Sequence, residues 1–136
     1  MTFEWIEEFD KSKREELFEF YKVEWWTEGR KFEDVMHMLD HSDLCIGCCT
    51  AEGKLVGFAR VLSDLTFKAL IFDVIVQSEF RGFGIGRELV GRIIDHTRLA
   101  KVSTFELYCP DELLPFYSSL GFSKRSSHLL SKRRAN

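Results

Sequence analysis

Three glycines at alternate positions, Gly82, Gly84 and Gly86, separate the apolar run IFDVIV from a helix-like stretch, with Arg81 and Arg87 on either side. Glycine permits left-handed dihedrals and close approach, so successive backbone N–H groups can turn toward one anion at the positive end of a helix. This is phosphate-binding chemistry. The dinucleotide fingerprint G-x-G-x-x-G fits badly, and the lysine and hydroxyl of a P-loop are missing, so hydride transfer and nucleotide hydrolysis lose ground. Asp73 sits in the middle of IFDVIV, where a carboxylate is costly unless it faces a cleft or has a partner. Strict alternation puts Asp73, Ile75 and Gln77 on one face of a strand and Phe72, Val74 and Val76 on the other. Asp73 is therefore either a catalytic or substrate-binding acid or one half of an ion pair with a residue such as Arg60.

These residues need a strand, a loop and a helix to place them. A first strand is expected at Phe3 to Ile6, followed by a helix capped by Ser12 and carrying Leu17, Phe18, Tyr21 and Trp25. A second helix over about Phe32 to Leu39 has its apolar residues at three- and four-residue spacing. LCIGCCTA, KLVGFARVLS and ALIFDVIV then read as three consecutive antiparallel strands. From Ile85, the residues Leu89, Val90, Ile93 and Ile94 mark an amphipathic helix. VSTFELYC reads as a strand, PDELLPFYSSLG as a short helix ended by Gly121, and FSKRSSHLLS as a last strand. The order is β-α-α-β-β-β-α-β-α-β, an α/β (α+β) domain with a mixed, largely antiparallel central sheet flanked by helices.

Arg81-Gly82-Phe83-Gly84-Ile85-Gly86 matches the Q/R-x-x-G-x-G/A motif of the GNAT acyltransferases, between the fourth strand and third helix, where that family carries it. Phe116-Tyr117-Ser118-Ser119-Leu120-Gly121-Phe122 resembles the family's later FY-x-x-x-GF segment, 30 or so residues downstream. The resemblance implies acetyl-coenzyme A as cosubstrate. Arg81, Gly82, Phe83, Gly84, Ile85, Gly86 and Arg87 would hold its pyrophosphate, and Val74, Ile75 and Val76 would line its pantetheine arm, mainly through the backbone. It implies that Tyr117 is the acid that protonates the departing thiolate, that a strand N–H stabilises the oxyanion, and that Asp73 is the candidate base. Trp26, Arg30, Arg60 and Asp64 fall where this fold forms its acceptor pocket. One departure is Pro110, which stands where many members carry an asparagine that bonds the coenzyme arm. WW-x-x-GR, GFAR-x-x-x-D and FDVIV are also similar to plant and cyanobacterial serotonin-type arylalkylamine acetyltransferases, which implies a small amine as acceptor.

The 136 residues suit one domain over 1–136, and 45% hydrophobic residues supply a core. A net charge of −3 argues against bulk attraction to nucleic acid, and the basic run Lys132 to Arg134 reads as a solvated terminus. No apolar stretch approaches the roughly 20 residues of a membrane span. The acidic start MTFEWIEEFD is unlike a secretory signal, so a cytoplasmic protein is expected. Cys45 and Cys48 have C-x-x-C spacing without a second ligand pair, so reduced thiols are expected and no metal. The expectation is an N-acetyltransferase acting on a small amine, as a monomer or homodimer. Acetylation of a protein N-terminus or lysine, and a non-catalytic coenzyme A-binding module, are the alternatives.

Overall fold

The computed structural model describes residues 1–135 except Trp25, Trp26 and Glu28. Its elements are β1 (Phe3–Ile6), α1 (Lys11–Val23), α2 (Phe32–Asp40), β2 (Leu44–Thr50), β3 (Leu55–Ser63), β4 (Lys68–Val76), α3 (Ile85–Ile94), β5 (Thr104–Leu107) and α4 (Leu114–Ser119). The five strands form one sheet in the order β1-β2-β3-β4-β5. Neighbours from β1 to β4 are antiparallel, and β5 joins β4 in parallel. Hairpins connect β2, β3 and β4, whereas the parallel step needs a crossover, which α3 supplies. No helix among the described residues is long and apolar enough to cross a membrane.

Each face of the sheet has its own apolar layer. On one face Ile85, Leu89, Val90 and Ile93 of α3, at helical spacing, pack with Tyr117 of α4 on Ile46, Val56, Ala59, Val61, Ala69 and Ile71. On the other, Leu17, Phe20 and Tyr21 of α1 and Val35 and Leu39 of α2 cover Cys49, Leu55, Phe58 and Ile75. Gly57 of β3 lies under the start of α3. A Cβ there would come within 2.8 Å of the Ile85 Cγ2 methyl, so the missing side chain fixes how closely α3 approaches the sheet.

The fold class and the element order through α4 agree with the sequence analysis; two details differ. The cap of α1 is Asp10, whose Oδ1 accepts the Lys13 N–H at 2.9 Å, and Ser12 lies one residue inside the helix. The last strand expected from FSKRSSHLLS is absent: residues 122–131 contain no strand, so β5 is an edge. FSKRSSHLLS has only Phe122, Leu129 and Leu130 as large apolar residues. Phe122 is held by a ring contact with Tyr117, and Leu129 and Leu130 are exposed. The four cysteines are free thiols.

Candidate active site

Pairing between β4 and β5 runs from Lys68 opposite Thr104 to Ile71 opposite Leu107 and stops, while β4 continues to Val76. The outer edge of β4 from Phe72 to Val76 is thus without a strand partner. The divergence coincides with an irregularity on the other side of β4. Phe58 pairs with Ile75 and Arg60 with Phe72, so Asp73 and Val74 together oppose Ala59. This is a bulge, and Asp73 takes φ +54° to make it. A left-handed non-glycine residue is strained, and aspartate tolerates it better than most. Beyond Ile71 opposite Leu107 the sheet thus has a notch, bordered by the unpaired edge of β4.

One mouth of the notch carries a charged cluster. Asp73 Oδ2 accepts from Arg60 Nε at 2.7 Å, from the Tyr21 hydroxyl at 2.9 Å and from Arg30 Nη1 at 3.4 Å. Arg60 lies over the Phe72 ring at 4.9 Å and Arg30 over the Tyr21 ring at 5.0 Å. Because of the bulge, Phe72 and Asp73 both meet Arg60, which simple alternation assigns to opposite faces. The Tyr21 phenol is pushed up by burial first and by the Asp73 charge second, so it stays a proton donor to the carboxylate. The ion pair with Arg60 that the sequence left as an alternative is therefore present, and the one carboxylate oxygen serves three donors.

The opposite face of the sheet is covered by α3 and α4. Gly82 and Gly84 have φ +92° and +80°, and a Cβ at either would meet nothing within 4 Å. Gly84 is the N-cap of α3 and its carbonyl accepts the Glu88 N–H at 3.0 Å. None of the six N–H groups from Gly82 to Arg87 has an acceptor among the described residues. Six donors at the positive end of a helix, with no side chain obstructing two of the turns, fit an anion of pyrophosphate size. Gly86 is different: a Cβ there would lie 3.3 Å from the Phe116 ring, so it permits α4 to dock against α3. Arg81 Nε donates to the Val76 carbonyl at 3.2 Å and Arg87 Nη2 to the Ser119 hydroxyl at 3.1 Å, which tie the loop to β4 and α4. Phe83 is exposed, with its ring edge-on to Phe3.

Tyr117 is only 7% exposed, set edge-on against Phe116 and Phe122. Burial, with a smaller contribution from the neighbouring Cys109 thiol, pushes its phenol up to about 12. It is a protonated phenol at any physiological pH.

The structure gathers Asp73, Arg60 and Arg30 into one cluster, and it ties the Gly82 to Arg87 loop to β4 and to α4, the helix that carries Tyr117. Val74 and Val76 pack toward the α3 layer, but Ile75 and Ile85 bury their side chains in opposite cores, leaving only their backbone for a ligand. Asp64 is not brought to the cluster. Its Oδ1 accepts the N–H groups of Thr66, Phe67 and Lys68 at 2.9, 2.8 and 3.1 Å, which close the β3–β4 turn and hold its carboxyl below the usual range. It is a turn residue, as a D-x-T-x-K sequence after a strand would suggest. Trp26 lies outside the described residues. Tyr21 was legible only as a core position; the signal for more was its hydroxyl, which needs a partner when buried.

The acetyltransferase (GNAT) family model matches residues 3–122, and the chain belongs to this family. It is 36% identical over 70% of its length to an uncharacterized N-acetyltransferase, ycf52, of Porphyra purpurea, covering 56% of that protein. It is 32% identical over 69% of its length to serotonin N-acetyltransferase 2, chloroplastic, of Oryza sativa subsp. japonica, covering 48% of it. The chain spans about half the length of the curated relatives it matches. A crystal structure of a candidate acetyltransferase from Deinococcus radiodurans R1 superposes with a TM-score of 0.80 at 27% identity, over 96% of this chain and 88% of that one.

Proposed function

We propose that residues 1–136 form a single acyltransferase domain that moves the acetyl group of acetyl-coenzyme A to the primary amine of a small molecule. The observation that carries this reading is the unpaired edge of β4 beyond β5, with six unpaired N–H donors at the start of α3 and a buried phenol on α4. Acetyl-coenzyme A supplies an activated thioester. The loop from Gly82 to Arg87 would hold its pyrophosphate, and the free edge of β4 from Phe72 to Val76 would pair with the pantetheine amides as an added strand does.

The amine nitrogen forms a bond to the acetyl carbonyl carbon and the carbon–sulfur bond breaks. An N–H on the β4 edge would receive the developing oxyanion. Tyr117 donates its proton to the sulfur and regains one from solvent; the amine loses its proton to water. In this reading Asp73 is a positioning residue, since its Oδ2 already holds three donors. The positive charge of Arg30 and Arg60 disfavours an ammonium beside them, which helps present the acceptor as a free amine.

The rice relative's name and the WW-x-x-GR and FDVIV resemblances support an arylalkylamine-like acceptor. The test is release of free coenzyme A thiol over a panel of aryl amines, polyamines, amino acids and peptides. Turnover confined to small amines supports the reading; turnover confined to peptides replaces it with protein acetylation. Silence throughout, with tight coenzyme binding, leaves a binding module.

A further inference from the structure

Asp73, Arg60 and Arg30 are removed from water to different degrees. The Asp73 side chain is 5% exposed, Arg60 11% and Arg30 35%. Two guanidiniums converge on a single carboxylate oxygen, so among the described residues the cluster keeps one positive charge. Arg60 is fixed in orientation by its Nε bond to Asp73 and by its stack on Phe72. Its two Nη groups have no acceptor among the described residues, and the Arg30 guanidinium has only the Asp73 oxygen and the Met38 sulfur, at 3.7 Å. A guanidinium that is oriented, half-desolvated and only partly bonded is a receptor for a planar anion. Surplus charge in a partly buried site is expensive until such an anion arrives.

We propose that Arg30 and Arg60, joined through Asp73, recognise a carboxylate that the acceptor carries a few bonds from its amine. The acceptor is then an amino acid or a close analogue. This rests on the acetyltransferase reading and narrows it. Among the described residues a carboxylate brings the cluster to neutrality, whereas a phosphate dianion would overshoot it. The cluster lies against β4 at the bulge, so an anion held there sets its own amine at the notch. An aromatic amino acid keeps the arylalkylamine skeleton of the proposed acceptor and adds the carboxylate that a plain arylalkylamine lacks.

The experiment compares matched N-acetylated products that differ only in the carboxylate, titrated calorimetrically into the protein saturated with coenzyme A. The pairs are N-acetylphenylalanine against N-acetylphenethylamine, N-acetylornithine against N-acetylputrescine, and N-acetylalanine against N-ethylacetamide. In at least one pair the carboxylated member should bind tenfold or more tighter. In Arg30→Gln that ratio should fall toward one, with coenzyme A affinity unchanged. Arg30 is the variant of choice because it is the most exposed member of the cluster. No discrimination in any pair, whether both members bind equally or neither binds, overturns the proposal, as does a ratio that survives in Arg30→Gln. Binding needs no turnover, so a carboxylate preference without acetyl transfer to any amine of the panel would keep the anion site and sink the enzyme reading instead.

Discussion

Asp73 shows how one residue's environment decides its role. With three donors on Oδ2, a change to asparagine keeps the shape but leaves two guanidiniums without a counter-charge. Asp73→Asn should lower stability by about 3–5 kcal/mol, as breaking a buried ion pair does, measured as a shift of the urea midpoint. Tyr21→Phe keeps the ring and loses only the hydroxyl bond at 2.9 Å, so it should cost about 1–3 kcal/mol. If Asp73→Asn costs no more than Tyr21→Phe, the carboxylate is not the hub of this cluster. The sequence made the cost of a buried acid plain and named Arg60 as a partner. It could not show Tyr21 or Arg30 joining it, because those contacts span 52 and 43 residues and depend on where α1 and the segment after it lie against β4.

Among the elements, α3 and the loop before it were the most legible, since glycine spacing and a 3.6-residue apolar period both act locally. The bulge in β4 was not: alternation looks regular through IFDVIV, and the extra residue is visible only in the register with β3. The final strand expected from FSKRSSHLLS does not form, because a polar segment with two adjacent leucines satisfies a weak period without a surface to cover. The close seat of α3 on β3 gives a sharper expectation. Gly57→Ala drives a methyl to 2.8 Å from Ile85, so α3 must move outward and carry the Gly82 to Arg87 loop with it. Its cost should be about 1–3 kcal/mol, the usual range for overpacking, with a matching loss of coenzyme A affinity in calorimetry. Gly84→Ala, by contrast, meets open space but holds φ +80°; it should cost about 1–2 kcal/mol from the left-handed dihedral alone.

The whole molecule buries several neutral acids, and this fixes its response to alkali. Burial pushes the Cys45 and Cys48 thiols up to about 11 and the Tyr117 phenol up to about 12, and it raises Tyr21 further. In the unfolded chain thiols ionise near about 8.5 and phenols near about 10. Between those values and the folded ones the unfolded state has lost protons that the folded state keeps. Stability is therefore fully present below pH about 8.5 and falls as pH rises toward 12. Urea midpoints taken from pH 7 to 11 should be level at first and then decline; a rise above pH 9 would contradict the burial of these groups.

As proposed, the notch between β4 and β5 transfers acetyl groups with Tyr117 as the acid. The direct measurement is amine-dependent release of coenzyme A thiol by the wild-type chain and by Tyr117→Phe, beside calorimetric affinity for acetyl-coenzyme A. The variant should show a kcat lower by about a hundredfold or more, with cofactor affinity within about twofold. Equal turnover in the two proteins, or tight cofactor binding with no amine-dependent release in either, would contradict it.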